Sequence, residues 1–190
     1  MKKSLSLKLI VFSFLLVVAD VSYSANPEFK KGSGEDSTVA GVASDASGSK
    51  SSAFGYNSLA TGQESLAAGY KNTANGKYSS SVGWENSADG VWASAFGNGN
   101  KASGSSSSAF GNENKASGEV SSAFGYNNTA SGERSSAFGG SYKVSGNYSG
   151  AFGVGLAYWN NTTNQYDYSY INEGNNSYMI GNYNKIASGS

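Results

Sequence analysis

From Val39 onward a glycine returns every 14 residues, at Gly41, Gly55, Gly69, Gly83, Gly97, Gly111, Gly125, Gly139 and Gly153. A second column keeps the same interval seven places later, from Gly48 through Gly62, Gly76, Gly90, Gly104, Gly118 and Gly132 to Gly146. Compositional bias produces many glycines but no fixed register, so the repeat is structural. Within the recurring phrase S-S-A-F-G, small and large residues alternate with a period of two, which is a strand pattern. A helix with a glycine at every seventh place would lose about 1 kcal/mol at each. Each unit therefore reads as two short strands and two turns.

Units of this kind stack as a β-solenoid, an all-β fold of parallel rungs about 4.8 Å apart and on the order of 40 Å long over the regular part. The same period also fits a chain of antiparallel hairpins. Identical residues falling rung upon rung favour the roll. Alanine precedes the first glycine by two places from Ala53 to Ala151, with Ser81 the exception, and Ala46 to Ala130 precede the second, with Val144 closing that column. Between alanine and first glycine stand Phe54, Ala68, Val82, Phe96, Phe110, Phe124, Phe138 and Phe152. Neighbours on a strand face opposite sides, so one column lines the roll and the other its surface. The expectation is Phe inside and Ala on a seam between chains, although the pattern leaves the orientation open. A roll this thin buries little area alone, and a continuous apolar stripe calls for a partner to cover it. Asn72, Asn86, Asn100, Asn114 and Asn128 occupy one position in consecutive rungs, which suits an amide ladder.

Two aromatic groups are candidate contacts. Tyr56, Tyr70 and Trp84 follow the first glycine in three consecutive rungs, and Tyr126 returns there, while Tyr78 and Trp92 share another column. Stacking along the rod accounts for both, and a flat strip for a sugar or protein ligand is the sharper reading. After Gly153 the beat breaks. Residues 154–176 hold Tyr158, Trp159, Tyr166, Tyr168 and Tyr170 around the turn-like Asn160-Asn161-Thr162-Thr163-Asn164, and Met179-Ile180-Gly181 restores the phrase 28 residues after Gly153. This segment reads as a hairpin or an enlarged rung, serving either as a spacer or as a contact surface.

The ends and the chemistry narrow the class further. Lys2, Lys3 and Lys8 precede an apolar run from Leu9 to Ala19, with Ser22 and Ser24 behind it, so residues 1–24 read as an export signal. Residues 25–38 lack the period and hold the only proline, Pro27, and read as a flexible leader. The repeats then occupy 39–153, and residues 177–190 resume them. Thirteen basic and 13 acidic residues balance, which gives no electrostatic case for nucleic acid. The chain has no His and no Cys, so the common nucleophile–base pairs, disulfides and thiolate metal sites are excluded. The glutamates sit at scattered outward positions, no phosphate-binding loop occurs, and no cofactor, metal site or catalytic residue is expected.

The phrases "SSAFGYNSLATG", "SSAFGNENKASG" and "SSAFGYNNTASG" resemble the head repeats of YadA-like trimeric autotransporter adhesins, of the hemagglutinin type, over roughly Val39 to Gly153. The resemblance implies a left-handed parallel β-roll, three copies packed in one head, and passive multivalent attachment to host extracellular matrix, a cell-surface protein or glycan, or other bacteria. It also implies export to the cell surface and an outer-membrane anchor. Neither heptads nor amphipathic strands follow Gly181, so the expectation is an anchor from a longer gene, an anchored partner, or release. Phe stands here where the family usually has a smaller aliphatic. Two other classes compete. An ice- or surface-binding solenoid would rank its threonines in register, and here they are few. A polysaccharide-active β-helix enzyme would gather charged residues on one face of a wider coil.

Overall fold

The structure is a computed structural model that describes residues 29–155, 157–168, 170–182 and 184–188. The export signal expected at 1–24 lies outside them. Among the described residues all regular structure is strand. One rung consists of a five-residue strand such as Ser94–Asn98, a corner, a two-residue strand such as Lys101–Ala102, and a wider turn. Long strands stack on long strands in parallel, and short on short, each residue pairing with the one 14 places on: Ala95 with Ala109, Phe96 with Phe110, Ala102 with Ala116. The long-strand sheet holds ten parallel strands from Thr38–Val42 to Tyr178–Ile180, with Lys30–Lys31 added antiparallel at its start. The short-strand sheet holds nine. The solenoid is parallel throughout, and the antiparallel alternative is excluded.

Stacking at this spacing explains both glycine columns. Gly111 has φ +114, and a Cβ there would overlap the Gly125 carbonyl of the next rung. At Gly104 a Cβ would collide in the same way with the Gly118 carbonyl. The two corners of the rung, in contrast, carry side chains at left-handed φ, including Lys71 (52°), Glu85 (52°), Trp92 (58°) and Val120 (55°).

The interior reverses the expected orientation of the alanine and phenylalanine columns. Ala53, Ala67, Ala95, Ala109, Ala123 and Ala137 are wholly buried, as are Ala60, Ala74, Ala88, Ala102 and Ala116 on the facing short strands. The phenylalanines point outward and stay half-exposed in the single chain. The reason is room. A regular rung closed by a two-residue strand encloses methyl groups, hydroxyls and one amide, and a phenyl ring at the alanine position has no place there. The column's own variability carried this signal, because a site filled by Phe, Ala and Val in turn is not a slot of fixed volume.

The asparagine ladder closes the polar side of this narrow core. Asn100 is buried, and its Nδ2 donates to Asn86 Oδ1 (3.0 Å), Phe96 O (2.9 Å) and Gly111 O (2.7 Å). Its Oδ1 accepts from the backbone N–H and the amide of Asn114, each at 3.0 Å. One side chain thus ties three rungs together. Serine begins the column, where Ser58 Oγ donates to Gly69 O at 3.2 Å. Tyr142 ends the asparagine run, fully buried, with its hydroxyl donating to Gly181 O at 2.6 Å.

Two boundaries differ from the sequence reading. The stack begins before Val39: Lys30 and Lys31 pair with Val39 and Thr38, and Gly34 sits under Gly48 as later glycines do, so 30–38 are part of the fold rather than leader. The interval from Gly153 to Gly181 is an enlarged rung with a hairpin, as expected, but its inserted part is narrower than 154–176, because Ile171–Asn172 already belongs to the stack. Lys143–Val144 pairs with Ile171–Asn172, and Gly150–Phe152 with Tyr178–Ile180, which puts 14 extra residues inside a single turn. Those residues include an antiparallel hairpin, Ala157–Asn160 against Gln165–Tyr168.

Candidate interaction surfaces

The first, third and fifth residues of every long strand point away from the core, and they build one continuous outer face. Its central column is a file of stacked rings. Phe96, Phe110, Phe124 and Phe138 lie with centroids 4.9 Å apart and planes within 9° of parallel. Phe152 tilts to 34° at 6.5 Å and is 64% exposed. Beside this file runs a serine column, Ser80, Ser94, Ser108, Ser122 and Ser136, and on the other flank the fifth-position column containing Tyr56, Tyr70 and Trp84. No first, third or fifth residue of these strands is charged. From Val39 to Asn172 the lysines and glutamates sit at the turns and on the short strands, as in Lys71, Glu85, Lys101, Glu113 and Lys115, while Lys30 and Lys31 lie at the starting edge of the long-strand sheet.

The aromatic column is a stack in the strict sense. Tyr56 and Tyr70 are 5.2 Å apart at 9°, and Tyr70 and Trp84 are 4.0 Å apart at 19°. Ring faces are therefore spent on one another, and the solvent meets edges and hydroxyls. A sugar or a flat apolar ligand needs a free face, which this column offers only at its two ends. Lys71 lies over Tyr70 at 5.1 Å and pairs with Glu85 at 3.3 Å. The hydrogen bond to Glu85, followed by Tyr70, holds the Lys71 ammonium above its ordinary lysine range. Asn98 and Asn112 continue the column, with Asn112 Nδ2 donating to Asn98 Oδ1 at 2.9 Å, and Tyr126 follows them, 52% exposed.

The other aromatic residues do not converge on these. Tyr78 and Trp92 sit on the far corner, tilted at 48° and 5.5 Å apart, with Lys77 over Tyr78. On the hairpin, Trp159 pairs in register with Tyr166 and is 49% exposed. The side chains of Tyr158, Tyr166 and Tyr168 lie outside the described parts of the structure. Tyr170 follows the hairpin's second strand and packs, half-buried, against the core, which separates it from the hairpin group. Among the described residues no three His, Cys, Asp or Glu side chains gather as a metal site.

Sequence reasoning located the ring columns but missed that the phenylalanine file and the tyrosine column share a face. It also missed Phe29, whose ring meets Phe54 edge-on at 6.0 Å. The missing signal was parity, since the third and fifth residues of a five-residue strand face the same way.

One family model, described as the YadA head domain repeat (2 copies), matches residues 33–58, 60–86, 88–114 and 116–141. Each match spans two rungs, and together they cover more than half of the chain. No curated protein matches it.

Proposed function

Because this chain belongs to the YadA head family, whose domains serve adhesion, we propose that it is the head of a bacterial surface adhesin, assembled from three copies packed along their long-strand faces. The observation that carries the assembly is the uncharged outer face. A file of phenylalanines over five successive rungs, from Phe96 to Phe152, is a larger apolar stripe than a solitary soluble protein tolerates. A partner for an uncharged face is itself uncharged there, and an identical chain meets that demand without further assumption. The seam is then the phenylalanine side, with the alanine columns inside each roll. The Tyr56–Tyr70–Trp84 stack flanks the seam and serves packing.

Attachment falls to the surfaces the seam leaves free. The hairpin projects from an otherwise regular rung, and Trp159 presents a large ring at its surface. Three copies bring three hairpins to one level, so weak contacts with matrix, cell-surface protein or glycan add through effective concentration. The proposed setting is the outer surface of an exported protein. Replacing Trp159, Tyr158, Tyr166 and Tyr168 by serine tests the assignment. Adhesion to matrix-coated surfaces or red cells falls while the sedimenting mass is unchanged. Full adhesion by the variant contradicts the hairpin's role, and loss of the oligomer would make it a structural element instead.

A further inference from the structure

Four successive levels of the outer face repeat the same first and third residues, Ser94 with Phe96, Ser108 with Phe110, Ser122 with Phe124 and Ser136 with Phe138, while the fifth position varies from Asn98 to Gly140. Such a ladder is degenerate. Over these levels a neighbouring chain displaced by one rung, about 4.8 Å, meets the same first- and third-position side chains. Before these levels the central side chain is Val82, and one level reverses the order of small and large. Between Phe54 and Val82 the central position is Ala68, and the serine position of that same strand is Leu66. The bulk has moved two residues along the strand, roughly 7 Å sideways, while the rung keeps about the same side-chain volume on this face. Both residues are half-buried in the single chain and face outward. Nothing inside the roll requires the exchange, because Ala67 between them is as buried as every other alanine of its column.

The ends of the face carry further irregularities. Gly150 replaces the serine, and Tyr178 of the next rung lies over it, since a Cβ on Gly150 would approach Tyr178 Cδ1 to 3.0 Å. Beside them a groove of about 400 Å³ is lined by Phe138, Phe152, Met179 and Ile180. From Phe54 to Phe138, Leu66/Ala68 is thus the one level at which the first position holds the larger side chain and the central position the smaller.

We propose that Leu66 and Ala68 form a register key that fixes the axial alignment of neighbouring copies. This rests on the seam assigned above. In register, the displaced leucine of each copy meets neighbours with the same missing ring at the same height. One rung out of register, Leu66 faces a level that already holds a full central side chain, and Ala68 faces a gap, so overpacking and a void arise together. A slip between every pair of copies also fails to close a ring. The key thus converts a ladder that tolerates sliding into one that closes at a single height, as one exceptional residue does in a coiled coil.

The test moves the key. One full chain keeps Leu66/Ala68; a second carries Leu66→Ser, Ala68→Phe, Ser108→Leu and Phe110→Ala, which transfers it three rungs along. With different tags and joint production, chains with keys at the same height mix statistically, and chains with keys at different heights co-assemble roughly tenfold less. Free mixing of unlike keys overturns the proposal. A second measurement stands if the transferred key prevents folding. Leu66→Ser/Ala68→Phe chains bearing Ser94→Cys, produced with the same background bearing Ser108→Cys, form disulfides between offset levels in higher yield than the otherwise unsubstituted pair. Equal yields in both backgrounds overturn it. A single-copy mass for the unsubstituted chain removes the seam itself, an outcome read separately from either arm.

Discussion

Asn100 shows how much one buried side chain holds in so thin a fold. Its amide serves carbonyls of its own rung and the next, and its oxygen accepts from the rung above. Asn100→Ala leaves several of these groups buried and unpaired, at about 1–3 kcal/mol each before relaxation. Urea unfolding of the variant is expected to show a loss of roughly 3 kcal/mol. Asn100→Ser should cost less, since Ser58 occupies the equivalent place and still reaches the glycine carbonyl. A second residue makes the opposite case. Val120 sits at φ 55°, a conformation that a β-branched side chain resists, on an exposed corner. Val120→Asn is expected to raise stability by about 0.5–1 kcal/mol, read as a higher urea midpoint with an unchanged slope. At this scale the sequence was informative about spacing and poor on direction. The asparagine ladder was legible because its five members repeat without exception. The orientation of Phe against Ala was not, because alternation alone is blind to which side is the inside.

At the scale of the element, the long strand and the hairpin behave differently. The long strand is set by what lies above and below it, so its glycines, alanines and outward rings repeat. The hairpin is an addition to a rung that would close without it. Gly155 donates its N–H to Gly140 O, as Ser141 does to Tyr126 O, and Tyr170 takes the place Tyr142 holds one rung earlier. Deleting residues 156–169 therefore joins Gly155 to Tyr170 in the frame of a normal rung. The shortened chain is expected to keep its parallel-strand circular dichroism and its copy number, and to melt within a few degrees of the parent. Its adhesion should fall to the level of the Trp159 and tyrosine variant. A deletion that unfolds the rod would show that the hairpin supports the end of the stack. The break in period was plain in the sequence, and a hairpin or an enlarged rung was the reading; the interval of two periods is one rung and an insertion of equal length, with bounds narrower than 154–176. The stacking of short strands across the break was required to see it.

For the whole molecule, what decides behaviour is the contrast between a charged outer surface at the corners and short strands and an uncharged long-strand face. The interior is mostly alanine, serine, glycine and asparagine, with Tyr142, Val144 and Met179 toward its end, so it supplies modest apolar burial for the length of the rod. The larger apolar residues are spent on the outside, where only another chain can cover them. Replacing Phe110 by lysine should therefore separate the copies while leaving each roll intact, because the alanine core behind it is untouched. The repeat phrases carried the family and the rod, and the uncharged face proposed as the seam became legible only when strand parity was set against burial. The most direct measurement is the mass of the purified chain by sedimentation equilibrium over a wide concentration range. The account predicts three times the mass of one purified chain, falling to a single copy for Phe110→Lys. A chain that stays single at high concentration, with its phenylalanine file open to water, would contradict it.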